Sequence, residues 1–263
     1  MSDLNRDLAP ISDEGWEFIA EEAKEVLNIK LAGRKVADFV GPKGLDYAAL
    51  NTGKRVKIEG PTSNADYYKR QVLPLVEVEV PFTLKRDDIK ALVRGAEDVD
   101  SDDLQAAANK VAQIENDAIF YGLDDPAIEG IVEASEHAPI EVKEQGLVES
   151  VAKGISKLAG DGVEGPYNLA LGLKLRTLMY TANDQGYPIE KRLKGLTGGD
   201  IVIAPNLGTQ GLLIPNRGED FEFIVGRDLS VGYKDHDEEE IEFYFTESFT
   251  FRVNAPEAAV VLE

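Results

Sequence analysis

The side chains able to do covalent or metal chemistry are few. The chain has no cysteine and only two histidines, His137 and His236. Disulfides, thiolate metal sites and cysteine nucleophiles are therefore excluded, and a histidine-based catalytic centre nearly so. His137 closes the run Glu133-Ala134-Ser135-Glu136-His137. Glu133 and His137 stand four apart and could share a metal on a helix, but His-Ala-Pro reads as a loop, and two ligands are too few. His236 lies in Asp235-His236-Asp237-Glu238-Glu239-Glu240. Oxygen ligands there could take a hard cation, yet a solvated hairpin turn is the simpler reading. Gly165-Pro166-Tyr167 ahead of an apolar run suggests a substrate loop or a turn feeding a buried strand, and composition favours the turn. No P-loop, G-x-S-x-G or H-E-x-x-H motif occurs. The carboxylates are too many and too scattered to nominate an acid–base pair. No catalytic residue and no metal ligand is nominated, and the chain is not expected to be an enzyme.

Composition narrows the classes further. The 263 residues include 28 Lys and Arg against 49 Asp and Glu, a formal charge of −21. Phosphate neutralisation needs clustered cations, so nucleic acid and anionic membrane are not expected partners. A hydrophobic fraction of 43% is too high for a disordered chain, and the length allows one or two domains with a real core. No apolar run reaches the ~18 residues of a membrane span, and no signal sequence opens the chain. An acidic, soluble, cytosolic protein is expected.

The elements that must position any site follow from periodicity. After a short arm, Leu4 to Pro10, Ser12 or Asp13 can cap a helix whose apolar positions are Trp16, Ile19, Ala20, Ala23, Leu27 and Leu31, with Gly33 as its stop. Arg55 to Glu59 reads as a strand bracketed by turn residues, within a long hairpin arm that has little core of its own. Val76-Glu77-Val78-Glu79-Val80 alternates strictly. Leu104, Ala107, Ala108, Val111, Ile114 and Ala118 mark the longest helix, from Ser101 to about Tyr121. The acidic patch before it, Glu97 to Asp103, reads as a solvated loop with favourable charge at a helix N-terminus. Residues 131–222 alternate: a helix through Leu147, Val151, Ile155 and Leu158, a strand at 167–171, a helix at 174–182, and strands at 201–203 and 212–214. The end is strand-rich, and a bulge near Glu247-Ser248 is expected between the run Ile241, Phe243, Phe245 and the run Phe249, Phe251, Val253. The fold class is α+β, with two subdomains of interrupted connectivity.

Taken together, many segments resemble the encapsulin shell proteins, also described as linocin-like bacteriocins. They are Leu8-Ala9-Pro10 with Trp16; Gly33-Arg34-Lys35 with Asp38; Gly41-Pro42; Pro81-Phe82-Thr83-Leu84; and Arg94-Gly95. Further along stand Ala118-Ile119-Phe120 with Gly122, Gly165-Pro166-Tyr167, Gly186-Tyr187-Pro188-Ile189, and Arg217-Gly218 with Asp220-Phe221. Asp228 to Tyr233, Thr246 to Phe251 and Pro256-Glu257-Ala258 complete the set, in the family's order and over the whole chain. The resemblance implies the fold of tailed-bacteriophage major capsid proteins. It divides the chain into an N-terminal arm and cargo-binding helix (1–38), a peripheral domain (39–47, 75–130 and 223–255), an extended loop (48–74) and an axial domain (131–222, with 256–263 returning to it). It also implies a bacterial nanocompartment: an icosahedral homo-oligomer of about sixty copies, enclosing a ferritin-like protein or a dye-decolorising peroxidase, with roles in iron storage or oxidative stress.

In such shells the cargo's C-terminal targeting peptide binds the lumenal face. The matching positions are Leu27, Leu31, Arg34, Asp38, Asp228, Leu229, Ser230, Val231, Gly232 and Tyr233. Arg34 and Asp38 would orient polar groups of the peptide; alternatively, being four apart, they would pair with each other. The five-fold pore loop would be Asn183, Asp184, Gln185, Gly186, Tyr187 and Pro188. Flavin-binding members carry a tryptophan where this chain has Asp87 and a histidine where it has Gly186, so no flavin cofactor is expected. A major capsid protein of a tailed phage or prophage is the alternative reading.

Overall fold

The computed structural model describes residues 3–62, 64–125, 128–143, 146–181, 183–184 and 187–263. In chain order the helices and strands begin with α1 (Asp13–Lys30), β1 (Asp38–Val40), β2 (Ala49–Ile58), β3 (Tyr67–Pro74) and β4 (Val76–Lys85). Then come α2 (Arg86–Val93), α3 (Asp102–Phe120), β5 (Gly122–Leu123), β6 (Ile128–Glu129), α4 (Ile131–Ala134) and α5 (Leu147–Gly160). The next group is β7 (Tyr167–Leu171), α6 (Leu173–Thr181), β8 (Asn183–Asp184), β9 (Tyr187–Pro188), α7 (Ile189–Thr197), β10 (Gly198–Ile203) and β11 (Gly211–Pro215). β12 (Phe221–Val225), β13 (Ser230–His236), β14 (Glu240–Val253) and β15 (Val260–Leu262) finish the chain.

Two larger sheets carry the molecule. In the five-stranded one, β14 runs through the middle. β4 pairs along one edge from Glu240 to Phe249, while β13 and then β12 pair along the other, and β1 adds in parallel to β12. The four-stranded sheet has the order β10-β7-β11-β15. Every residue of β7 and β11 is buried, which is why Tyr167–Leu171 follows the Gly165-Pro166 turn as a core strand.

Two apolar cores stand out among the described residues. One gathers β7, β11 and β15 with the end of α3 (Ala118, Ile119, Phe120) and with Phe249 and Phe251 of β14. The other gathers Ile19 and Ala23 of α1, Leu104, Ala108 and Val111 of α3, Phe82 of β4, and Phe243 and Phe245 of β14. Fully burying one such phenylalanine contributes about 1.5–3 kcal/mol. Both α3 and β14 run through both cores.

The expected bulge near Glu247-Ser248 is not there. β14 pairs with β4 in unbroken register from Glu240↔Lys85 to Phe249↔Val76. Ile241, Phe243, Phe245, Phe249 and Phe251 are all odd-numbered and share one face of a continuous strand, as a period of two requires. What interrupts the row is a charge: Glu247, fully buried between the two apolar runs.

Other boundaries moved modestly. α1 ends at Lys30 with Leu31 as its C-cap, and Gly33–Lys35 forms a separate 3-10 turn. Two short helices, α2 and α7, were not anticipated. Each has few fully buried residues, Ile89 in the first and Ile189, Leu193 and Thr197 in the second, too few to declare a period. β2 and β3 form the expected hairpin, nearly all of it exposed, including Val56, Ile58, Tyr68 and Val72.

Candidate functional site

The segment after α1 is pinned against α3 and β14 by a small set of side chains. Asn116, buried on α3, donates from Nδ2 to the Lys30 carbonyl at 2.8 Å, satisfying one of the orphan acceptors at the end of α1. Its Oδ1 accepts from the Gly33 amide at 2.8 Å. A Cβ at Gly33 would stand 2.5 Å from Ile119 Cδ1, so any larger residue would have to displace that buried side chain.

Gly33 delivers Arg34 to a cluster of carboxylates. Its Nε donates to Glu115 on α3 at 2.9 Å, Nη1 to Asp228 at 2.8 Å and Nη2 to Glu247 on β14 at 2.6 Å. Glu115 and Glu247 have no solvent exposure, and the Arg34 side chain retains 19%. The guanidinium also lies over Phe39, 4.9 Å from the ring centroid, and Phe223, 5.6 Å away. Burial lowers the proton affinity of Arg34, but the hydrogen bond and charge of Glu115, with Glu247 and Asp228, outweigh it and hold the group above the usual guanidinium range. Burial pushes Glu115 above the usual carboxylate range despite Arg34. It pushes Glu247 well above that range, with repulsion from Glu115 adding to the effect.

The expected site residues fall into three groups. Arg34 and Asp228 meet directly. Asp228 also accepts from the Leu229 amide, and Ser230 Oγ donates to the Asp228 carbonyl, so the start of β13 is fixed to the same cluster. Leu27 and Leu229 are partly buried at the rim of the α1 core. Leu31 is also partly buried. Val231 and Tyr233 are buried within that core. Gly232 packs so closely on Tyr244 that a Cβ would meet its ring.

Asp38 stands apart. It accepts from the Glu219 amide, while Arg34 reaches three other carboxylates, so the two do not form the i,i+4 pair that their spacing allows. Residues 4–6 of the N-terminal arm lie along β13: the Tyr233 amide donates to the Leu4 carbonyl at 2.9 Å and Arg6 Nε to the Val231 carbonyl at 2.7 Å.

Of the pore loop, Asn183–Asp184 and Tyr187–Pro188 pair as short antiparallel strands; Gln185 and Gly186 lie outside the described residues. Asp87 is at the start of α2, where Lys90, as hydrogen-bond donor and nearby cation, holds its carboxyl below the ordinary range.

The histidines have ordinary partners. His137 Nε2 is 2.9 Å from the Glu257 carbonyl oxygen, and His236 Nδ1 meets the Tyr233 hydroxyl. Asp237 accepts from the amides of Glu239 and Glu240, closing a turn between β13 and β14. Among the described residues no three His, Asp or Glu side chains are grouped to hold a metal ion, and no helix is long and apolar enough to cross a membrane.

Glu115, Glu247 and Phe39 were missed by sequence reasoning. The signal for the first two was present: each is a carboxylate on an otherwise apolar row, of period 3.6 in α3 and period 2 in β14.

The fold is that of a capsid subunit. It is similar to a virus-like particle from Pyrococcus furiosus, with a TM-score of 0.59, 15% identity, and 92% of this chain and 98% of that one covered. It is also similar to the capsid of an empty GTA particle, with a TM-score of 0.56, 14% identity and 89% of each chain covered. In sequence, residues 1–250 match the family described as encapsulating protein for peroxidase. The type 1 encapsulin shell protein of Rhodospirillum rubrum is 43% identical over 274 residues, covering all of this chain and 96% of the relative. The chain belongs to the encapsulin shell proteins, and its role is structural rather than catalytic.

Proposed function

We propose that this shell protein closes into an icosahedral particle of about sixty copies in the cytoplasm. The particle encloses a cargo enzyme held by its C-terminal targeting peptide. The observation that carries the assembly reading is the β2–β3 hairpin, whose apolar side chains Val56, Ile58, Tyr68 and Val72 are exposed in the single chain. On this reading the domains divide as the family resemblance implies, and neighbouring copies cover the loop at 48–74.

The family description, encapsulating protein for peroxidase, favours a dye-decolorising peroxidase as cargo over a ferritin-like protein. The peptide would lie across Leu27, Leu31 and Leu229, beside the half-exposed Phe39 and the loop at Asp228. Burying two or three apolar side chains, less the cost of ordering an extended peptide, gives an affinity on the order of micromolar. Many grooves facing a multimeric cargo would supply the retention. Arg34 is committed to its carboxylates and would shape the groove more than read the peptide.

The loop Asn183 to Pro188 would line the five-fold opening, and the particle would carry no flavin. Co-expressing the chain with a peroxidase bearing its own C-terminal tail tests the cargo reading. Purified particles should retain the full-length enzyme and exclude the enzyme without its tail; equal retention of both would contradict it.

A further inference from the structure

Glu115 and Glu247 are both fully buried, yet the cluster holds one guanidinium against three carboxylates. Glu115 and Glu247 both approach Arg34 Nη2, at 2.7 and 2.6 Å, so the two buried carboxyl groups are neighbours around one nitrogen. Two carboxylates are both acceptors, so a hydrogen bond between them requires a proton. Glu247 Oε2 is buried and receives no hydrogen bond from any donor among the described residues. From these contacts we infer that the seam between the two cores binds one proton, shared by Glu115 and Glu247 at neutral pH, and that the seating of residues 31–39 on α3 and β14 is therefore proton-linked.

The surroundings leave little else to balance the charge. The 3-10 turn contributes Arg34, α3 contributes Glu115 and the neutral Asn116, and the loop before β13 contributes Asp228. β4 places Val78 opposite Glu247, and β1 and β12 contribute the rings of Phe39 and Phe223. Arg227, next to Asp228, is paired with Asp3. With the proton in place the buried pair carries one negative charge against Arg34, and the partly exposed Asp228 is balanced by solvent. Without it, two adjacent buried anions share one cation, an arrangement that low dielectric penalises heavily.

Burial raises the proton affinity of both groups in the folded chain, with repulsion from Glu115 adding to it at Glu247 and repulsion from Asp228 adding to it at both. The unfolded chain loses these protons near the ordinary glutamate value of about 4.5, while the folded chain keeps one to higher pH. The stability this proton confers is thus fully present below that value and is lost as pH rises through the folded one. This inference goes beyond the cargo reading and does not depend on it.

The test uses the full-length chain at neutral pH. Infrared spectra of protein with carbon-13-labelled glutamate should show a protonated carboxyl band that is absent from Glu247→Gln. The glutamine keeps the shape and donates to Glu115 without ionising, so the variant's melting temperature should gain on wild type by roughly 3 °C per pH unit above the ordinary glutamate range. If Glu247→Gln does not fold, Glu115→Gln replaces it. Absence of the band from wild-type protein overturns the inference whatever the variants do, and so does a melting difference independent of pH.

Discussion

The β2–β3 hairpin and the β4–β14 ladder are both long antiparallel pairings, yet they have opposite surroundings. β4 and β14 bury Phe82, Leu84, Phe243 and Phe245 against α1 and α3 inside one subunit. β2 and β3 make a similar ladder and leave Val56, Ile58, Tyr68 and Val72 in solvent. An isolated two-stranded hairpin is marginal at best in water. The first ladder is completed within the chain, whereas the second leaves an apolar surface that, on the proposed reading, other copies cover.

The largest expected effect breaks this comparison outright. Removing residues 52–70 should abolish the particle while leaving a folded subunit. Light scattering would show loss of the large species, and circular dichroism a cooperative melt retained. A truncated chain that still forms particles would show the loop to be ornamental.

Next in size, Phe243→Ala should cost about 3–5 kcal/mol, because it empties a fully buried site that touches Trp16, Phe82 and Tyr233. Denaturant titration of the full chain would measure it. Val56→Ala in the hairpin should leave the same titration unchanged.

Arg34→Ala should destabilise by about 3 kcal/mol or more, since it strands buried Glu115 and Glu247 without their cation. With both glutamates already raised, the loss should grow as pH rises above the ordinary carboxylate range. Equal loss at pH 5 and pH 8 would contradict that account of the seam.

Leu31→Asp should leave stability and assembly nearly intact, because Leu31 is only partly buried at the end of α1. Particles co-expressed with cargo should instead emerge empty, as read by the cargo band after purification. Smallest of all, Lys57→Ala breaks the exposed hairpin pair with Asp66, and the melting temperature should not move measurably.

Much of this was written plainly in the chain. Ile19, Ala23 and Leu27 declare α1, Leu104 to Ala118 declare α3, and Gly60-Pro61-Thr62 declares the hairpin tip, whereas Asn51 to Gly53 lie inside β2, at the register shift between Asn51 and Arg55. Long, strongly periodic segments read well because many residues vote for one face. α2 and α7 did not, since each of these short helices keeps only a few positions buried.

The site was legible in part. Arg34 and Asp228 do meet, and Leu27 and Leu229 lie at one rim. Asp38 turns instead to the Glu219 amide, which helical spacing alone could not foresee because residues 33–38 leave the helix. Glu247 sits where the sequence pattern suggests a bulge, yet it is a buried carboxylate in an unbroken row. Its partner Glu115 lies 132 positions away, and only the tertiary fold brings them together.

On the proposed reading the exposed β2–β3 hairpin finds its partners only within a shell. Native mass measurement of the purified full-length protein at micromolar concentration tests it most directly. The account predicts one discrete species of roughly 1.7 MDa, sixty times the 28.7 kDa chain. A stable 28.7 kDa monomer under the same conditions would contradict it.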